Sequence, residues 1–159
     1  MTANDLTVDL LVRATPEEVF EAIGNVKGWW SEDFRGQSRH QGDAFDVRFG
    51  NVHFSAHTVI ESVPGSRVVW SVTDSCLNFL KDKTEWTGTE IVFDILEEEE
   101  GTRLRLTHIG LRPGVECFAD CFNGWNHFVH KSLALLINEG KGNPNVLNAE
   151  VKKKEASIQ

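Results

Sequence analysis

At 159 residues, with 24 acidic against 16 basic side chains and a net charge of -8, the chain has the size of a single domain, and its charge argues against a nucleic-acid backbone or an anionic membrane as its main partner. Three cysteines, an odd number without a disulfide-dense pattern, fit reduced thiols and a cytoplasmic location. No apolar run approaches the ~20 residues that span a bilayer, and the opening MTANDLTVDLLVRA lacks the basic leader of a signal peptide.

Leu6 to Arg13 reads as a first strand. Thr15-Pro16-Glu17-Glu18 then supplies a helix N-cap, a proline at the first helical position and acids in the first turn, with Val19, Phe20 and Ile23 as the buried face. Gly24 and Gly28 bracket a short helix or turn that leads into Trp29-Trp30. From Ala44 the period becomes two. Phe45, Val47 and Phe49 share one face, and after a turn at Gly50-Asn51 the apolar set is Val52, Phe54, Ala56, Thr58 and Ile60. That phase sends His53 and His57 outward, as surface histidines.

Pro64-Gly65 marks the next turn, and Val68, Trp70 and Val72 follow on one face of a strand. Asp74 to Lys83 reads as a longer connection. Thr87 to Leu96 carries Ile91, Phe93 and Ile95 inward, the acidic tip Glu97 to Glu100 turns at Gly101, and Leu104, Leu106 and His108 share the inner face of the last strand. Glu116 to Pro144 reads as one long helix with a glycine stop. At 100° per residue, Phe118, Cys121, Phe122, Trp125, Val129, Ser132, Leu133 and Leu136 fall within about 120° of one another. This stripe needs an apolar partner, and only the strand region is large enough. The expected architecture is α+β: a curved antiparallel sheet of about six strands on a long C-terminal helix, with one or two short helices after the first strand. One domain is expected over residues 1–144, followed by a polar tail over 145–159.

The start TVDLLVRATPEEVFEAI, the Trp29-Trp30 pair, WTGTEIVFDI from Trp86, LTHIGL around His108 and GWNHFVHKSLALLINEGKGNP from Gly124 resemble the START-related SRPBCC superfamily. Within it the chain is most similar to the branch named after the C-terminal domain of the heat-shock-protein ATPase activator. The resemblance implies the helix-grip fold, with an apolar tunnel between sheet and helix in which relatives bind lipids, sterols or hormones, and in some cases cyclise polyketides.

The leading expectation is a small, mostly hydrophobic ligand held between sheet and helix by Trp70, Phe93, His108, Phe118, Cys121, Phe122, Trp125 and Val129, with His108 and Ser132 as polar groups that orient it. A chaperone-associated interaction module is the first alternative. The second is a cavity enzyme of cyclase or hydrolase type with His108 as general base beside Glu116 or Cys121. Against chemistry stand the absence of G-x-S-x-G, a phosphate-binding G-x-x-x-x-G-K-[ST] loop and H-E-x-x-H, and the lack of any tyrosine as phenolic acid. Cys117 and Cys121, with His108 and Glu116, would suit zinc chemically, but their spacing is not that of a metal signature, and no metal or cofactor is expected.

Overall fold

The computed structural model describes residues 5–146. Seven antiparallel strands form one sheet in the order β1-β7-β6-β5-β4-β3-β2. They are β1 (Leu6–Val12), β2 (Phe34–Gly36), β3 (Ala44–Phe49), β4 (His53–Val63), β5 (Arg67–Leu77), β6 (Glu90–Glu98) and β7 (Gly101–Ile109). The short edge strand β2 has no apolar alternation to announce it; it forms because Phe34 to Gly36 pair with Phe45 to Val47 of β3.

Between β1 and β2 lie α1 (Pro16–Gly24) and α2 (Val26–Trp29). Thr15 caps α1 as its sequence dictates: the Glu18 amide donates to Thr15 Oγ1 at 3.1 Å and the Thr15 amide to the Glu18 carboxylate at 3.0 Å. Val19, Ala22 and Ile23 are the buried face, with Phe20 half-buried at its margin.

The C-terminal helix begins at Phe118, two residues later than its periodicity suggested, and is not uniform. α3 (Phe118–Phe128) passes into a π-helical turn over Val129–Leu133 and then into α4 (Ala134–Glu139). The wider turn lets the adjacent Ser132 and Leu133 both be buried. Gly140 ends the helix at φ 80°, a left-handed value that glycine adopts without strain. Beyond it the chain folds back against α2. A Cβ on Gly142 would collide with the Gly28 carbonyl oxygen, so this crossing requires a glycine.

Ser132 is a fastener here, not a cavity group. Its hydroxyl donates to the Trp29 carbonyl at 2.6 Å and accepts from the Asn143 amide at 2.8 Å. Asn145, the first residue assigned to the tail, is tied to the body through its amide to the Trp30 carbonyl at 3.0 Å and its carbonyl to the Glu32 amide at 2.8 Å. The rest of the tail, from 147 on, lies outside the described residues.

Alternation in β1, β6 and β7 places Leu6, Val8, Leu10, Ile91, Phe93, Ile95, Leu104, Leu106 and His108 in the core. β5 is longer than expected. It takes in Asp74 to Leu77, the first part of the segment read as a connection, because a bulge opposite Ala56 and His57 leaves Thr73 unpaired and resets the phase, turning Ser75 and Leu77 inward. All five tryptophans join one stack between sheet and helix: Trp30 lies 6.1 Å from Trp29, 5.7 Å from Trp70, 6.4 Å from Trp86 and 5.0 Å from Trp125, centroid to centroid. The space that could have been an open tunnel is largely filled by indole.

Candidate functional site

One cleft of about 110 Å³ opens where the β3–β4 hairpin and the β5–β6 loop meet α3. Its floor is Trp30, Trp86 and Trp125; Phe49, Phe79 and Phe128 form the sides; Cys121 and Gly124 of α3 and the Asp120 rim complete it, and His53 enters from the sheet. Two carboxylates hold the loop that carries Phe79 and Trp86. Glu116 accepts from the amides of Lys81 at 3.0 Å and Asp82 at 3.3 Å, and Glu85 accepts from the Cys117 amide at 2.9 Å. Glu116 is thus a loop clamp, not the partner of His108 that chain proximity suggested.

His53 reaches the cleft because the hairpin turn has three residues, not two. Phe49 pairs with His53, Val47 with Ser55 and Phe45 with His57, so Gly50, Asn51 and Val52 make the loop. Directly opposed residues share a face, and a one-residue slip exchanges the faces of an entire strand. The expected outward histidines are therefore inward: His57 is fully buried, His53 half-buried, and Val52 and Ile60 are exposed.

Ser55 Oγ lies 2.8 Å from the Nε2 of both His53 and His57. Burial lowers the His53 imidazole to about 3 and carries His57 well below its ordinary value, with His53 and His108 adding to the effect on His57, so both rings are neutral at physiological pH. His108 is likewise buried, lowered to about 3 mainly by desolvation.

The hydrogen bonds define the role of His108. Trp125 Nε1 donates to Nδ1 at 3.1 Å, so the ring proton is on Nε2, which donates to Thr89 Oγ1 at 2.9 Å; that hydroxyl in turn donates to the Trp86 carbonyl at 2.6 Å. Both nitrogens are occupied by protein partners. The ring has no free lone pair for a substrate proton, which removes the general-base role considered for it.

Of the residues expected to line a cavity, the structure brings only Cys121 and Trp125 to the cleft. Trp70, Phe93 and Val129 are core, at 0% exposure. Phe118 is half-buried and stacked on Phe122, rings 6.0 Å apart, while Phe122 itself is 37% exposed. Cys121 Sγ accepts from Trp86 Nε1 at 3.3 Å. The Cys117 thiol is pushed up, first by its hydrogen bond to Cys121 and then by burial, so it is protonated. Among the described residues, no three histidine, cysteine or acidic side chains are grouped to hold a metal ion. None of their helices is long and apolar enough to cross a membrane.

Trp30, Phe49, His53, Phe79, Trp86 and Phe128 were missed as cleft residues. For His53 and Phe49 a signal existed: with Phe45 and Val47 inward, a three-residue turn puts 53, 55 and 57 on the same face.

A bent antiparallel sheet closed by a C-terminal helix, with its site at the mouth between them, defines the START-like helix-grip class. Residues 13–138 match the family described as Activator of Hsp90 ATPase homolog 1-like protein, and the chain belongs to that family. The fold is similar to the solution structure of the Aha1 dimer from Colwellia psychrerythraea, with 26% identity, 87% of this chain and 98% of that chain covered, and a TM-score of 0.69. A Staphylococcus saprophyticus protein (16% identity, 91% and 99% covered, TM-score 0.67) and one from Mesorhizobium loti (17%, 83% and 95%, 0.66) share the fold. No curated protein matches the chain.

Proposed function

We propose that this protein binds a small, mostly apolar ring compound in the cleft at the mouth of the sheet. The observation that carries the reading is the combination of ring-lined walls with a single side chain from the sheet, His53, able to orient a guest. The volume sets the class. A dry cavity of about 150 Å³ accepts benzene, so about 110 Å³ with an open side suits one small ring and not a sterol or lipid tail.

Gly124 provides the test. It lines the cleft and a Cβ there meets nothing within 4 Å, so Gly124→Leu fills the guest's space without disturbing the core. Titration with toluene, read by tryptophan fluorescence, is expected to saturate for the natural protein and not for Gly124→Leu. Equal response from both proteins rules the site out.

Family membership supports a second reading, in which the domain docks on a chaperone ATPase. Phe79 and Phe122, 46% and 37% exposed, offer an apolar surface beside the cleft. Stimulation of a heat-shock ATPase that survives Gly124→Leu but is lost in Phe122→Ser, a ring outside the cleft lining, would favour surface over cleft.

A further inference from the structure

We propose that the cleft selects a guest bearing a neutral hydrogen-bond acceptor, because Ser55 and the buried His57 ring behind it fix the His53 proton on Nδ1. The inference rests on the cleft-binding reading and adds a polarity to it.

One hydroxyl sits between two imidazole nitrogens, and a serine hydroxyl donates only once. If both Nε2 atoms carried protons, the Ser55 hydroxyl proton would be left without a partner in a fully buried position. If neither did, two lone pairs would compete for one proton. Two ordered chains are left.

They differ at the far nitrogens. His57 Nδ1 is sealed from solvent and has no hydrogen-bond partner among the described residues. A chain running from His53 to Ser55 to His57 would place a proton on that nitrogen and bury an unsatisfied N–H. Buried N–H groups without a partner are rare in folded proteins, and their desolvation is not recovered; a proton on His57 Nδ1 would add a second beside the Trp70 indole. The reverse chain has no such defect: His57 Nε2–H donates to Ser55, Ser55 donates to His53 Nε2, and the His53 proton is on Nδ1. That nitrogen has no partner among the described residues and, unlike its counterpart in His57, is not sealed from solvent.

The ring is also held in orientation. Phe49 and Trp86 pack edge-to-face on His53 at 4.8 Å each and Trp30 at 6.1 Å, which opposes its turning over. Burial keeps it neutral, so it offers one donor and no charge. With Asp120 on the rim, the cleft disfavours an anionic acceptor. A neutral acceptor such as a carbonyl or ether oxygen on a small ring is the complement, and Ser55 and His57 act as positioning residues.

Imidazole proton–nitrogen correlation spectra of the 15N-labelled natural protein read the tautomers directly. His53 is expected with its proton on Nδ1, and His57 with its proton on Nε2; a His53 proton on Nε2 overturns the proposal. For binding, acetophenone is compared with α-methylstyrene, in which a methylene replaces the carbonyl oxygen. Acetophenone is expected to bind about five- to tenfold more tightly, one net hydrogen bond's worth, and benzoate more weakly than acetophenone. His53→Phe is expected to abolish the preference while α-methylstyrene still binds. Equal affinity of the two probes for the natural protein overturns the acceptor selection and leaves the cleft reading standing; binding of neither overturns both.

Discussion

Trp125 Nε1 donates to His108 Nδ1 at 3.1 Å, and this one bond joins the middle of α3 to the last strand of the sheet while fixing which nitrogen of the histidine is protonated. The helix is placed on the sheet by a buried polar contact as well as by apolar area, so either partner can be deleted with a distinct expected effect.

Replacing His108 by Leu leaves the Trp125 indole N–H without an acceptor, while the Thr89 hydroxyl keeps its bond to the Trp86 carbonyl. A loss of about 1–3 kcal/mol is expected for the buried donor left unpaired. His108→Gln, whose amide oxygen can accept from Trp125 and whose NH2 can donate to Thr89, should recover most of it. Urea denaturation of the two variants checks this; equal losses would mean that shape and not hydrogen bonding places the ring.

Truncation along α3 tests the phase of the helix. Trp125 is 2% exposed and Phe122 37%. Trp125→Ala is expected to cost about 3–5 kcal/mol, whereas Phe122→Ala should cost less than about 1 kcal/mol, since most of its contact is with Phe118 at the surface. Comparable losses in thermal unfolding would show that Phe122 is packed more tightly than its exposure indicates.

Two glycines should respond with opposite signs. Gly124 lies inside α3 with open space around its Cα, so Gly124→Ala is expected to stabilise by about 0.5–1 kcal/mol through backbone entropy. Gly142→Ala puts a methyl group onto the Gly28 carbonyl and should cost about 1–3 kcal/mol. Chemical denaturation measures both, and a destabilised Gly124→Ala would count against the unobstructed helix seen here.

Stability should fall with acid in a window set by three histidines. His53 and His108 have folded values of about 3, and His57 is also strongly lowered, against an ordinary value of 6.5. Below pH 6.5 the unfolded chain binds protons that the folded chain refuses. The stabilisation is therefore complete above that pH and is lost as pH falls toward 3, at up to about 1.4 kcal/mol per pH unit for each ring. Three such rings together become comparable with the reserve of an ordinary domain, about 5–15 kcal/mol, only well below their ordinary value, so unfolding is expected below about pH 5. His108→Gln should flatten the slope measured by urea melts from pH 6.5 down to that point by about a third; an unchanged slope would show that His108 titrates normally.

Much of the architecture was legible because it depends on local chemistry. Thr15, Pro16 and Glu18 cap α1 through neighbours in sequence, Gly140 stops the last helix through its own backbone freedom, and alternation in β1, β6 and β7 is unbroken, so Leu104, Leu106 and His108 face inward as their spacing required. The resemblance of the same segments to the SRPBCC superfamily agrees with the family match over residues 13–138.

The site was not legible in the same way, because it depends on register. Val52, Phe54 and Ile60 outweigh His53, Ser55 and His57 in hydropathy, and any rule that turns apolar side chains inward chooses the wrong face of β4. Whether the hairpin turn has two residues or three is a difference of one position in sequence, yet it exchanges the two faces of the strand. The three-residue turn is accommodated because Ser55 pairs the two histidines with each other and the tryptophan stack shelters them. The bulge at Thr73, the π turn at Val129 and the clamp from Glu116 to the β5–β6 loop are likewise set by contacts between distant segments. The sequence by itself determined most of the elements, the edge strand β2 excepted, and which way the regular ones face. Only the tertiary structure decided that tryptophan rings fill most of the space under the helix and that a histidine reaches the part left open, because both follow from how strands pair and not from what each strand contains.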